Sequence, residues 1–229
     1  MNKLFSLIVL TTLFAVTFTS CSKDDDNKKV SGTITGEHAN WKEVSASFDN
    51  GATWAATAKI SKEKFSLKLP VPQAVYLTPV TYGMPDEIEI SDKSAKGTYA
   101  TFFARKDNQA TMLALMNYSY NITGLSMTMV QYMYVDKDVE VSGSYDENIE
   151  IEGLGRLSMN MLLDIKLKKG WNTVISNANV LLSGSAVTTV ANGDVPSGVT
   201  WIAVENPFAK GVFHEINQAE MERLFNLIK

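Results

Sequence analysis

Leu125-Ser126-Met127-Thr128-Met129-Val130-Gln131-Tyr132-Met133-Tyr134-Val135 decides the fold class. Successive side chains of a β-strand point to opposite faces, so a strand buried on one side alternates with period two. Leu125, Met127, Met129, Gln131, Met133 and Val135 fall on one face, and Ser126, Thr128, Val130, Tyr132 and Tyr134 on the other. Strand-like stretches of this kind fill the chain on both sides. Upstream, Phe65, Leu67 and Leu69 alternate with Ser66 and Lys68, and Pro70-Val71-Pro72 ends that run because proline donates nothing to a ladder. Residues 44–48 and 53–60 flank Asp49-Asn50-Gly51, a hairpin signal because Asn and Gly both accept positive φ. Gly97 to Arg105 and Thr111 to Tyr120 flank a polar turn at residues 106–109. Downstream, residues 139–145, 149–154, 157–167, 172–176, 180–183 and 199–204 complete the series.

Many short strands punctuated by turns predict a mainly β protein, an antiparallel β-sandwich or barrel-like domain. Strands do not alternate with long helical patterns, which argues against a doubly wound α/β sheet. One helix is expected, at residues 217–228. Asn217 is its N-cap with Glu220 three residues on. Met221, Leu224, Phe225 and Ile228 then form an apolar stripe expected to pack across the sheet or cover an edge. Val30-Ser31-Gly32-Thr33-Ile34 and Val141-Ser142-Gly143-Ser144-Tyr145 are alike and hint at duplication. The organisation read from this is a first β half at 30–135 and a second at 136–229, or one continuous β domain.

The amino terminus speaks to location. Met1-Asn2-Lys3 is basic, residues 4–18 are almost wholly apolar, and Thr19-Ser20 precede Cys21, the one cysteine in 229 residues. That pattern is a secretory leader, and its apolar run is shorter than the ~20 residues that span a bilayer. A solitary cysteine in an exported chain has no internal disulfide partner, and its position supplies a reason for it. Phe18-Thr19-Ser20-Cys21 resembles the lipobox of bacterial lipoproteins, with Phe in place of the usual Leu and Ser in place of Gly or Ala. The resemblance implies that residues 1–20 are removed and that the thiol of Cys21 carries a diacylglycerol on an acylated new terminus.

Ser22-Lys23-Asp24-Asp25-Asp26-Asn27 is similar to the signal that carries lipoproteins of Bacteroidetes to the outer face of the outer membrane. It also forms, with Lys28-Lys29, a charged tether over 21–29. Two further stretches, residues 64–72 and 163–172, resemble ones in small Bacteroidetes lipoproteins. They imply an envelope lipoprotein with β domains and carry no catalytic motif.

The chemistry expected of the site is non-catalytic. The sequence has two histidines, His38 and His214, no Gly-x-Ser-x-Gly, no Cys-x-x-Cys and no phosphate loop. Acids cluster at Glu87/Glu89/Asp92, at Asp136/Asp138/Glu140 and at Asp146/Glu147/Glu150/Glu152, without the spacing of a calcium loop. They read as solvated faces, and no metal or cofactor is expected. A net charge of −4 without a basic block argues against nucleic acid. The aromatics supply the candidate contacts. A tryptophan or tyrosine face stacks on the apolar side of a sugar ring. Trp41, in a polar stretch, is the leading candidate, with Tyr132 and Tyr134 on a strand face shared with Ser126 and Thr128. Trp171 and Trp201 are expected in the core.

The expected function is a cell-surface binding or adhesion module with glycans as candidate ligands, attached to the membrane by its lipid. The alternatives are an accessory subunit of an outer-membrane assembly, or a barrel holding an apolar ligand against the Met-rich strands.

Overall fold

The computed structural model describes residues 27–35, 41–151, 155–181 and 183–204. The described chain is mainly β. Its strands are β1 (Lys28–Thr35), β2 (Glu43–Ser47), β3 (Ala56–Lys59), β4 (Lys64–Leu69), β5 (Thr78–Pro79), β6 (Glu89–Ile90) and β7 (Lys96–Lys106). They continue as β8 (Gln109–Asn121), β9 (Gly124–Val135), β10 (Val139–Ile151), β11 (Gly155–Leu167), β12 (Gly170–Leu181), β13 (Ser185–Asn192) and β14 (Thr200–Val204). A single 3-10 turn, Ala74–Tyr76, precedes β5. The expected helix 217–228 lies outside the described residues.

Two hairpins, each split by a third strand, explain the topology. β8 and β9 pair directly from Leu115↔Val130 out to Asn121↔Gly124. Toward their other ends β7 enters between them, pairing Phe102↔Leu113 on one side and Ala100↔Tyr132 on the other. Likewise β13 leaves the turn at Gly184 and slides between β12 and β11. It runs antiparallel to β12 and parallel to β11. A second parallel pair joins β1 to β14 through Ile34↔Trp201. The expected antiparallel sandwich or barrel is thus found as a mainly β, mixed sheet, in which β1–β14 and β11–β13 pair in parallel. The cause is insertion of late strands between earlier neighbours, which periodicity does not encode.

Two apolar clusters form on opposite sides of β9. In the first, Val30, Ile34, Val44, Phe65, Leu67, Leu69, Phe102, Leu113, Leu115 and Trp201 are buried inside the barrel-like wrap of β1, β2, β4, β7, β8 and β14. In the second, Met133, Val135, Val139, Val141, Leu163, Ile165, Leu167 and Val174 pack under Val80, Ile88 and Ala95 of the 80–95 segment. The alternation predicted for β9 is thus present, yet both faces are covered at its Val135 end. Beyond that cover, β8 to β13 run on as a broad sheet whose two faces differ in chemistry. One carries Ser126, Thr128, Asn177 and Asn179, where the Ser126 and Thr128 hydroxyls donate to Asn179 and Asn177 at 2.8 Å each. The opposite face carries Met127, Met129, Met159 and Met161.

Trp201 is buried, as expected. Its ring lies edge-on to Phe65 at 5.3 Å and to Phe102 at 4.8 Å, and its indole N–H reaches the Ser31 carbonyl at 3.4 Å. Gly32 makes room for it, because a Cβ there would overlap the indole.

Candidate functional site

The three aromatic candidates do not form the exposed platform expected of them. Tyr132 is only 4% exposed and Tyr134 only 6%. Tyr132 packs edge-on against Phe102, and Tyr134 against Trp171. They do share a strand face with Ser126 and Thr128. That face passes under the barrel layer partway along β9, so its outer residues meet solvent and its inner ones meet core. Trp41 is half-buried and packs against the first cluster. The structure therefore brings no two of Trp41, Tyr132 and Tyr134 together as an open contact surface. Cys21, His38 and His214 lie outside the described residues.

Two concavities lie among the described residues. The larger, about 460 Å³, is lined by Lys28, Lys29, Ser31, Thr33, Tyr132 and Thr200 among others. The Lys28 ammonium stands 6.0 Å from the Tyr132 ring centre, and burial pushes the Tyr132 hydroxyl upward in pKa. Because Tyr132 and Trp201 are buried, they form its floor and offer no flat face to a ligand.

The smaller, about 270 Å³, is lined by Phe48, Asn50, Thr78, Tyr82, Tyr99 and Thr101 together with Met84, Met133 and neighbouring backbone. Here the aromatics are accessible: Tyr82 is 82% exposed and Tyr99 is 41% exposed. Burial of part of the Tyr99 side chain raises its hydroxyl pKa. The cleft is assembled from three distant segments. The β2–β3 loop brings Phe48 and Asn50, the turn after β5 brings Tyr82, and β7 brings Tyr99 and Thr101. Pairing of β5 with β7 through Thr78↔Gly97 holds the last two segments together. Gly97 also lets β7 lie close against β9, since a Cβ there would sit 2.7 Å from the Tyr134 carbonyl.

The loop carrying Asn50 is fixed by Asp49. Asp49 accepts from the Ser47 hydroxyl at 2.7 Å, the Thr53 hydroxyl at 2.7 Å and the Thr53 N–H at 2.8 Å. Asn50 and Gly51 take positive φ of 54° and 92°, as the Asn-Gly signal predicts. The Thr101 hydroxyl then reaches Asn50 Oδ1 at 3.5 Å. Behind Phe48 lies Trp171, at 5.8 Å between ring centres. Its buried indole N–H has no hydrogen-bond partner among the described residues.

Trp54, also exposed, is a weaker platform. The Arg105 guanidinium lies 4.5 Å from its ring centre, and Phe103 meets its edge. Among the described residues no group of three or more His, Cys, Asp or Glu side chains is placed to hold a metal ion. No described helix is long and apolar enough to cross a membrane.

Hydrogen bonds and ion pairs hold several carboxyls below their ordinary pKa. The hydroxyls of Thr53 and Ser47 do this for Asp49, Ser94 for Asp92, Lys42 for Asp107, and the Lys169 N–H with Lys168 for Asp138. A carboxyl depressed in the folded state binds protons more weakly there than in the unfolded chain. Its contribution is fully present above the unfolded value of about 4 and is lost as pH falls through the folded value. The urea midpoint is therefore expected to be level from pH 7 to about 5 and to fall below about 4. Asp49→Asn should make that fall shallower. A midpoint that rose on acidification would contradict these assignments.

No family model, curated protein or solved structure matches the chain.

Proposed function

We propose that the chain is a lipid-tethered, non-catalytic binding module of the bacterial outer-membrane surface, and that its ligand is a glycan. The tether is read from the leader and Cys21. The ligand class rests on one observation: Tyr82 and Tyr99 stand exposed around a cleft whose polar groups are Asn50, Thr78 and Thr101. A sugar ring offers an apolar face for stacking and hydroxyls that both donate and accept. Aromatic rings beside amide and hydroxyl side chains complement both. Among the described residues no carboxylate lines the cleft, which suits an uncharged sugar.

Tyr82→Ala is expected to weaken glycan binding at least about tenfold, the loss of a stacked ring worth roughly 0.5–1.5 kcal/mol plus its buried area. Tyr82 is so exposed that its removal should leave the melting temperature within a degree or two. A glycan array probed with the mature protein, followed by calorimetry on the hits, reads both. Binding that survives Tyr82→Ala and Tyr99→Ala together would remove this cleft as the site. An array without hits would remove the glycan reading.

The 460 Å³ groove supports a second reading. Its Lys28 and Lys29 favour an anionic ligand, such as an acidic sugar, over a neutral one. Salt-sensitive binding lost in a Lys28→Glu, Lys29→Glu variant, and unaffected by Tyr82→Ala, would favour the groove.

A further inference from the structure

The larger groove is bordered by a strand edge that has no ladder partner among the described residues. β1 pairs with β4 from Lys28↔Leu69 to Thr33↔Lys64. On its other side it meets β14 only at Ile34↔Trp201 and Thr35↔Ile202. Residues 28–33 thus present about 20 Å of open edge, at about 3.3 Å per residue. Two contacts fix which backbone groups point there. The Ile34 N–H donates to the Glu63 carbonyl at 2.8 Å, on the β4 side. The Ser31 carbonyl accepts from the Trp201 indole N–H at 3.4 Å, on the β14 side. In a strand the N–H and C=O of one residue share an edge, and successive residues alternate. Val30 and Gly32 therefore face β4, while Lys29, Ser31 and Thr33 turn their N–H and C=O groups to the groove.

The groove supplies the rest of a peptide site. Leu115, Tyr132 and Trp201, each at most 5% exposed, are its apolar floor, and Val195 and Val199 border it from the segment before β14. Added strands draw affinity from main-chain bonds and selectivity from pockets for alternate side chains. A strand laid along this edge sets every second side chain on that floor. Charge selects the partner. β1 and β4 together carry Lys28, Lys29, Lys64 and Lys68 and no acid, in a chain of net charge −4. Lys28 and Lys29 stand at one end of the open edge and line the groove. A second copy of the chain brings the same lysines to the same edge and is repelled, which is how edge lysines block self-pairing. A segment carrying acids at that end is attracted.

We propose that the open edge of β1, residues 28–33, is a docking site for an extended acidic segment of a partner protein, which adds to it as a strand. The proposal shares its lysines with the acidic-sugar reading of this groove and is set apart from it by the backbone edge.

The test uses the mature chain with Cys21→Ser and a fluorescent seven-residue peptide, Val-Thr-Val flanked by two aspartates at each end, read by fluorescence polarisation. Its symmetric charge serves either strand direction. The peptide is expected to bind, and N-methylation of its three central amides to weaken it at least about tenfold, because the charge is kept and the ladder donors are lost. Ser31→Pro deletes one groove-facing N–H and leaves the bonds to β4, since proline is tolerated where the N–H side of an edge strand is open. It should weaken the peptide several-fold. Polygalacturonate, an acidic sugar polymer, is the comparison ligand, and its binding should not respond to Ser31→Pro. Equal binding of the plain and N-methylated peptides, or no peptide binding, would overturn the proposal. Peptide binding by a folded Ser31→Pro variant at undiminished strength would overturn it too. Polygalacturonate that still binds in those cases, and is released by Lys28→Glu with Lys29→Glu, leaves the acidic-sugar reading standing alone. The two-peptide comparison needs no variant, so it decides the matter however Ser31→Pro folds.

Discussion

Replacing Trp201 with alanine is expected to remove about 3–5 kcal/mol of folding stability, the range for a buried aromatic cut to a methyl group. Trp201 is 2% exposed and meets Phe65 from β4 and Phe102 from β7. It sits on β14, which joins the parallel partner β1 to the antiparallel partner β8. The ring therefore ties the last described strand to the first barrel layer, and its loss leaves a cavity among residues from distant parts of the chain. Domains of this kind have about 5–15 kcal/mol in total, so this one change consumes a large share. For a chain near 200 residues it corresponds to a melting temperature lower by about 6–20 °C. Trp54→Ala is the matched control. Trp54 is 37% exposed and should cost under about 1 kcal/mol. A complementary change, Gly32→Val, pushes a side chain into the same indole and should destabilise through overpacking by about 1–3 kcal/mol. If thermal unfolding of Trp201→Ala matched that of Trp54→Ala, the packing of β14 described here would be wrong.

How far the sequence reveals this fold depends on what each strand packs against. Phe65, Leu67 and Leu69 alternate cleanly because β4 has one face on core and one in water. Periodicity finds such strands. β13 was not legible. Ser185-Ala186-Val187-Thr188-Thr189-Val190 buries Ala186 and Thr188 and exposes Val187, so its small inward residues give no hydrophobic contrast. β10 and β12 read as two short strands each because Asp146-Glu147-Asn148 and Asn177-Ala178-Asn179 look like turns. In the structure these polar residues project from one continuous strand each. Asn177 and Asn179 accept hydroxyl bonds from β9, and Asp146 accepts from Asn160. A polar residue within a strand is thus ladder chemistry on an open face, indistinguishable in sequence from a turn.

The site shows the same division. Trp41, Tyr132 and Tyr134 are selected by residue type and local surroundings, and neither reports on a layer contributed by distant strands. Tyr82 carried a usable signal, lying on a turn-prone Thr81-Tyr82-Gly83-Met84-Pro85 stretch where an aromatic has little local reason to be. Tyr99 carried none, since within β7 it alternates like any core residue. Only the pairing of β5 with β7 sets it beside Tyr82.

Substituting Cys21 with serine is expected to move essentially all of the protein from the membrane to the soluble fraction, the largest effect predicted for any single residue. The lipid anchor proposed from the lipobox resemblance would put a diacylglycerol on this thiol and an acyl chain on the new terminus. Each buried CH₂ contributes about 0.8 kcal/mol, so one chain holds marginally and several hold durably. Serine has no thiolate to take the lipid, and every chain is lost together. Once the apolar leader of residues 4–18 is removed, electrostatics would not retain the protein. A net charge of −4 gives no attraction to anionic lipid. Asp24→Asn, Asp25→Asn and Asp26→Asn together should separate anchoring from export, leaving the protein on the membrane but reducing its accessibility to protease added outside the cell. Mass analysis of the cell-derived wild type provides the decisive reading. A chain beginning at Cys21 and heavier by its acyl groups supports the tether, and an unmodified thiol or a retained leader ends it. The consequence for the site follows from covalent reach. Lys28, which opens β1 and lines the larger groove, is seven residues from Cys21 and so lies within about 25 Å of the acyl attachment. With Cys21 acylated as proposed, the groove would be held close to the membrane.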